Sequence, residues 1–279
     1  MSDHVFPSYR EHAAALARGI GPADLLRQWR GLSHAGWNPL KYHFHFYSLV
    51  LGTQTLHATG YAMGIVRDGT DEVVMTYFGD GASSQGDVSE ALNWAATTAV
   101  PVIFFCQNNQ WAISTPATHQ SRTRLYQRAA GFGLESYLVD GNDVLAVHAV
   151  TSAAAASVRE GNGPVFIEAE TYRMAGHSTS DDPTKYRGDA DLNLWRERDP
   201  IARLRTLLED ADTSPAFFDR LADDADLIAA ETRRVCLSFP EPELGDFFDN
   251  AYAGPHRALE RQAAEYAAFA ASFEIQGSA

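Results

Sequence analysis

Cysteine is nearly missing from this chain. Its two copies, Cys106 and Cys236, are too few and too far apart for a disulfide framework or a zinc cluster. Cys106 lies in the apolar run Val102-Ile103-Phe104-Phe105 and reads as a small core residue. Basic residues are also scarce, 22 against 36 acidic, and the net charge of -14 argues against nonspecific binding to nucleic acid or anionic membrane surfaces. No window reaches about 18 uninterrupted apolar residues, so no membrane span is expected. The segment Met1 to Pro7 lacks the basic-then-apolar order of a secretion signal. Together these absences make a reducing cytoplasm the expected compartment. There is no internal repeat, no low-complexity stretch beyond the helix-forming Ala153 to Ala156, and no Gly-x-Gly-x-x-Gly after a strand, which argues against a Rossmann-type nucleotide protein.

What is present is an ordinary globular composition, 45% hydrophobic and 21% charged over 279 residues, enough to bury a substantial core. Helical patterning covers Arg10 to Ala17 and Ala23 to Trp29, with Pro22 placed to start the second helix. Gly31 to Tyr47 reads as a loop, and Gly52 to Val66 as a buried helix. Beyond them strands and helices alternate: strand Val73 to Phe78, helix Asp87 to Thr98, strand Val102 to Cys106, strand Ser136 to Val139, an Ala-rich helix to Glu160, and strand Pro164 to Ala169. That order predicts an α/β fold, a parallel sheet flanked by helices on both faces, with ligands outside the strand C-termini. After Pro200 the pattern is helical, over Ile201 to Leu208, Pro215 to Thr232 and His256 to Phe273. The expected organisation is one α/β domain over residues 1–200 with a helical C-terminal extension over 201–279 that serves packing and subunit contact.

Both central strands end in polar stops, Gly79-Asp80-Gly81 and Asn108-Asn109, which the intervening helix would bring side by side. Magnesium takes about six oxygen ligands and keeps water and phosphate in its shell. One carboxylate, one amide oxygen and one backbone carbonyl would leave room for them. Glycines beside Asp80 allow close backbone approach to a phosphate, and the amides of Gly81 and Ala82, near the next helix start, can donate to it. Taken singly, Gly-Asp-Gly reads as a turn and Asn-Asn as a strand-ending cap. Their separation of 29 positions, Asp80 to Asn109, makes the pair specific.

That span resembles the thiamine diphosphate fingerprint. More narrowly, Phe78 to Gly86 and Asn108 to Pro116 resemble the E1 α subunits of 2-oxo acid dehydrogenase complexes, as does Thr171 to Asp182 followed by Tyr186-Arg187. Phe6-Pro7-Ser8-Tyr9-Arg10-Glu11 and Leu49 to Gln54 match further segments. The resemblance runs from about Asp3 to about residue 250 and implies the thiamine-diphosphate-binding fold. It also implies roles: Asp80 and Asn109 bind magnesium by side chain and Trp111 by its carbonyl, while Tyr9, Arg10 and Arg173 approach the diphosphate, beside Gly79, Gly81 and Ala82. Arginine suits that task because its planar fork binds phosphate bidentately. His177 would face the cofactor and stabilise the reacting adduct or the substrate carboxylate. Leu51 would wedge the cofactor into its bent form, and the Leu49 carbonyl would accept from its 4′-amino group. Without the resemblance, Arg10 reads as a surface helix residue, His177 as part of a solvated turn, and Leu51 as helix-start packing. No role is assigned to His43 and His45 beyond structure.

The activity so implied is an oxidoreductase one, the oxidative decarboxylation of a 2-oxo acid. The wording around Asn108-Asn109 and Ser178 to Asp182 favours branched-chain acids over pyruvate. The implied partners are a β subunit in an α2β2 assembly, which supplies the activating glutamate, and a lipoyl-bearing E2 acyltransferase. Family members carry a longer N-terminal portion ahead of the segment matching Phe6-Pro7-Ser8-Tyr9, and the runner-up expectation is a noncatalytic subunit or fragment that keeps the fold.

Overall fold

The computed structural model describes residues 2–32, 35–249 and 251–276; residues 33 and 34 of the expected loop, and residues 250 and 277–279 of the expected helical extension, lie outside them. Two compact units are present. The first is Met1–Arg18 with Pro39–Asp219, and the second is Gly19–Asn38 with Arg220–Ala279.

Along the chain come β1 (His4–Phe6), α1 (His12–Ala17), α2 (Pro22–Leu26), α3 (Pro39–Tyr42) and α4 (Thr53–Asp68). Next are β2 (Val74–Gly79), α5 (Gly86–Thr98), β3 (Val102–Asn108) and a small hairpin of β4 (Trp111–Ala112) and β5 (Thr115–Pro116). The core closes with α6 (Ala117–Gln120), α7 (Leu125–Ala130), β6 (Glu135–Asp140), α8 (Val144–Arg159) and β7 (Val165–Glu170). The helical remainder is α9 (Asp189–Arg196), α10 (Pro200–Asp210), α11 (Pro215–Leu237), α12 (Leu244–Phe248) and α13 (Arg257–Gln276). The expected alternation and parallel sheet are there, and the helical C-terminal region as well.

The sheet has the order β1-β2-β3-β7-β6 and is parallel throughout. Its helix placement follows from handedness. A parallel crossover is right-handed, so a chain that keeps moving one way across a sheet keeps its helices on one face, and a reversal puts the next helix on the other. From β1 through β2 and β3 to β6 the direction is constant, and α4, α5 and α7 supply Ala58, Ala62, Ile65, Ala91, Ala95, Leu125 and Ala129 to one core with Val74, Phe78, Phe104 and Cys106. The step from β6 back to β7 reverses it, and α8 lies opposite, its Ala154 and Val158 packed with Ile103, Phe105, Val165 and Ile167. Because both faces are covered, β3 is apolar from Val102 through Cys106 and β7 from Val165 through Ile167, as expected of buried parallel strands. The alanines on α4 and α5 keep side chains short where the two helices meet. Asp143 caps α8, accepting from the amides of Leu145 at 3.0 Å and Ala146 at 3.1 Å.

Strand β1 is absent from the sequence-based expectation. Three residues show no readable period, and its burial depends on a segment about 40 positions away. Val5 donates to the His43 carbonyl at 2.8 Å and accepts from the His45 amide at 2.8 Å, so residues 43–45 cover the outer edge of the strand. Around this clasp, His4 Nδ1 lies 3.1 Å from His45 Nε2, His43 Nδ1 lies 3.2 Å from His4 Nε2, and the Tyr61 hydroxyl lies 3.1 Å from His4 Nε2. His45 stacks on Phe6 with ring centroids 3.9 Å apart. His43 and His45 thus both contact His4 within this clasp.

This clasp fixes a pH dependence. Burial, with His4 and His43 beside it, holds His45 down at about 4, and burial with His43 also lowers His4, against the opposing pull of Glu72. Both rings gain protons more readily in the unfolded chain. Their contribution to stability is present above the ordinary value of 6.5 and is lost as pH falls from there toward about 4. The thermal midpoint is expected to stay level above pH 7 and drop through that window, with a shallower drop in His45→Gln. An equally steep acid limb in His45→Gln would remove the cluster from the account.

Candidate functional site

Strand β2 ends where Gly79 pairs with Gln107 of β3, which sets Asp80 level with Asn108; β3 in turn pairs Asn108 with Glu170 of β7. The two polar stops therefore share the crevice outside the strand C-termini, beside the reversal in strand order. Asp80 is only 2% exposed. Its Oδ1 accepts from the Asn109 amide at 3.2 Å and its Oδ2 from Gln120 Nε2 at 3.2 Å. Among the described residues no ion pair includes it. Burial pushes its carboxyl above the usual range, opposed by hydrogen bonds, including those from Gln120 and Asn109, and more weakly by the charge of Arg173.

Gly81 is a glycine because the hairpin sits on it: a Cβ there would lie 2.8 Å from that of Ala112. The turn that follows, Ala82–Ser84, begins its own bonds with the Ser83 amide to the Asp80 carbonyl at 3.1 Å and the Ser84 amide to Gly81 at 3.2 Å. The amides of Gly81 and Ala82 precede the first amide that the turn consumes, the position from which amides donate to an anion.

Beyond β3 two Asx turns follow each other. Asn108 Oδ1 accepts from the Gln110 amide at 3.0 Å and Asn109 Oδ1 from the Trp111 amide at 3.1 Å. Gln110 and Ile113 are held at φ 68 and 54, left-handed conformations that cost side-chain-bearing residues energy. Arg173, 9% exposed, ties this hairpin down. It donates to the Trp111 carbonyl at 3.4 Å, the Ile113 carbonyl at 2.7 Å, the Ala175 carbonyl at 3.3 Å and the Tyr186 hydroxyl at 2.6 Å.

The His177 loop reaches the same arginine. Its amide donates to Asp181 Oδ2 at 2.6 Å, which also accepts from Tyr186 at 2.5 Å and lies 3.9 Å from Arg173. Gly176 permits that fold-back, since a Cβ would stand 2.9 Å from the Asp181 carbonyl. Arg10 closes the network from the other end of the sequence, donating to the His177 carbonyl at 2.8 Å with its Nη2 3.4 Å from His177 Nδ1. A guanidinium has no lone pair to offer, so in that contact Nδ1 accepts and the ring proton sits on Nε2. Burial, then Arg10 and Arg173, lower the His177 imidazole below its usual value, while Asp181 opposes them.

Of the expected site residues, Asp80, Gly81, Ala82, Asn109, Trp111, Arg173, His177 and Arg10 thus converge through these contacts, with Gly79 just before them and Tyr9 packed 5.2 Å from the Arg10 guanidinium. Leu49 and Leu51 are not drawn in: they are 64% and 42% exposed. Their loop rests on the helix after Asp80, because Gly52, at φ 88, has Val88 and Gln85 within 3.2 Å of where a Cβ would be. Sequence reading missed Gln120, for which no motif signals a role. It left Asp181 and Tyr186 without one, although both fall within or beside the matched loop.

The donor set can be tested against a magnesium diphosphate. No group of three or more His, Cys, Asp or Glu that could hold a metal exists among the described residues, so a bare ion has little to bind. A single buried carboxylate, an amide oxygen and a main-chain carbonyl are hard oxygen donors that suit magnesium when phosphate and water complete its shell. Asp80, buried and with no ion pair among the described residues, gains a countercharge from that arrangement. The residues fit.

Comparison with known proteins gives the following. The family model of the dehydrogenase E1 component matches residues 1–215. The 3-methyl-2-oxobutanoate dehydrogenase subunit alpha of Mycobacterium tuberculosis is 41% identical over 94% of this chain and 72% of its own length. The mitochondrial 2-oxoisovalerate dehydrogenase subunit alpha of Homo sapiens is 41% identical over 94% of this chain and 61% of its own. Its counterpart alpha 2 of Arabidopsis thaliana is 36% identical over 93% and 58%. The chain thus spans less than two thirds of the human and plant relatives. A solved structure described as a putative thiamin diphosphate-dependent enzyme from Mycobacterium smegmatis aligns at a TM-score of 0.41 with 21% identity, covering 62% of this chain and 29% of that one.

Proposed function

Because this chain belongs to the dehydrogenase E1 component family, we propose that it is an α-type subunit that binds thiamine diphosphate through magnesium. In that role it serves the oxidative decarboxylation of a branched-chain 2-oxo acid, the class that its relatives' names carry, with the acyl group passed to a lipoyl-bearing protein. A β subunit supplies the activating glutamate, so this chain is inactive by itself. The observation that carries the reading is one connected network: a buried carboxylate with no ion pair among the described residues, joined through Asn109 and the Trp111 hairpin to two arginines and a histidine. A dianionic ligand that brings its own divalent cation suits that balance of charge.

Asp80, the Asn109 amide oxygen and the Trp111 carbonyl would hold magnesium. Arg10, Arg173 and the amides of Gly81 and Ala82 would take diphosphate oxygens. Thiamine diphosphate supplies, when bound, a nucleophilic carbon and an electron sink, while the protein binds and orients it. His177, kept neutral with its proton on Nε2, offers a donor to a substrate carboxylate or to charge developing on the 2-oxo oxygen.

The test is calorimetry of thiamine diphosphate with the chain co-expressed with a β subunit of the same family. Binding is expected only when magnesium is present, with magnesium alone giving little heat. A branched-chain 2-oxo acid is expected to be decarboxylated in preference to pyruvate. Absence of binding in the intact complex would replace this reading with a noncatalytic subunit that retains the fold.

A further inference from the structure

Glu168 is fully buried in the middle of β7, with 0% exposure. Among the described residues no ion pair offsets it. A buried carboxylate is costly, and an apolar residue would pack a central strand as well. Its two oxygens explain its presence. Oε1 accepts from Asn108 Nδ2 at 2.6 Å, and Oε2 accepts from the Tyr126 main-chain amide at 2.9 Å. Both partners can only donate, so both oxygens must accept, which a carboxylate does and a carboxamide cannot.

The consequence reaches the site through the Asn108 amide. With Nδ2 held by Glu168, Oδ1 is turned toward the Gln110 amide, the bond that bends the chain after β3 and holds Gln110 left-handed. That bend carries Asn109, whose amide meets Asp80 and whose Oδ1 meets the Trp111 amide. We propose that Glu168 is a positioning residue for the magnesium site: it fixes the orientation of the Asn108 amide and thereby the Asn109-to-Trp111 turn that presents the ligands. The inference rests on the functional reading above for the identity of the ligand, and on the hydrogen bonds alone for the orientation of the turn.

Reversing the polarity of the pair tests it. Glu168→Gln sets an amide donor against one of two donors. Asn108→Asp sets a carboxylate against a carboxylate across a 2.6 Å contact. Each single variant, in complex with the β subunit, is expected to need about tenfold more magnesium for half-maximal thiamine diphosphate binding, since each leaves a buried polar group facing its like instead of a partner. In the double variant a donor meets an acceptor again. The carboxamide introduced at position 168 accepts from Tyr126 and donates to the carboxylate introduced at position 108, whose other oxygen takes the Gln110 amide. Its magnesium requirement is expected to return to within about threefold of wild type. A double variant as impaired as the singles overturns the proposal. Hydrogen exchange at the Gln110 and Trp111 amides without ligand gives the second readout, with protection lost in the singles and regained in the double. If wild type itself binds no thiamine diphosphate, the functional reading fails, while this exchange pattern still decides whether Glu168 sets the turn.

Discussion

Asp80→Asn is expected to leave the ligand-free protein at least as stable as wild type while abolishing its stabilisation by magnesium and thiamine diphosphate. The carboxylate is 2% exposed and has no ion pair among the described residues, so it is held at a cost. Asparagine is nearly isosteric. Its oxygen can still accept from the Asn109 amide, and its nitrogen can donate to Gln120 once that side-chain amide turns over; the 3.4 Å contact with Ser84 then persists with the hydroxyl accepting, and only the long 3.4 Å bond to the Thr115 carbonyl is lost. What cannot be replaced is the anionic ligand. At a cofactor concentration of 100 times its Kd, wild type gains about 2.7 kcal/mol by mass action, and the variant should gain none of it. Thermal midpoints of the α–β complex, with and without cofactor, read both halves. A fall in the ligand-free midpoint would make Asp80 a structural residue instead.

Arg173→Ala has the opposite signature, a large loss of stability with or without ligand. The guanidinium serves three main-chain carbonyls and a tyrosine hydroxyl from a position only 9% exposed. Buried acceptors left without donors cost about 1–3 kcal/mol each, less where water reaches them, and a total of roughly 3 kcal/mol is expected. The loss should be local as well as global. Hydrogen exchange in residues 111–116 should accelerate, because Ile113 and Gln110 hold left-handed conformations that the surrounding bonds must maintain. Arg173→Lys should recover little of this, since one ammonium cannot span the fork from Trp111 to Tyr186. Full recovery by lysine would show that charge, not geometry, is what the hairpin needs.

These two residues also show what the amino-acid order discloses. Strands β2 and β3 were legible because a strand covered on both faces must be an apolar run, and their polar stops were legible because the runs end there. Cys106, read as core, is fully buried. Asp80 and Asn109 could be paired across 29 positions because a helix between parallel strands returns the chain to the same end of the sheet. Other features depend on partners that no local pattern encodes. Glu168 looks like one polar letter in a buried strand until Asn108 and Tyr126 are set against it. Gln120 reaches Asp80 from 40 positions away, out of a helix of four residues. The two-residue strands of the hairpin are too short for any period to show. The place of β7 between β3 and β6 follows from the reversal at β6, which residue composition does not record.

Residues 43–45 have one more effect, on the company this chain can keep. An exposed edge strand is a template on which another chain can add a strand, and proteins that stay soluble block such templates. Here the outer groups of Val5 are already taken by His43 and His45. At the far side β6 begins with Glu135 and ends with Asp140, which Arg203 engages at 2.8 Å. The outer side of β1 is thus closed at Val5 by this chain's own backbone, and β6 carries a carboxylate at each end, a pattern that disfavours the addition of a further strand.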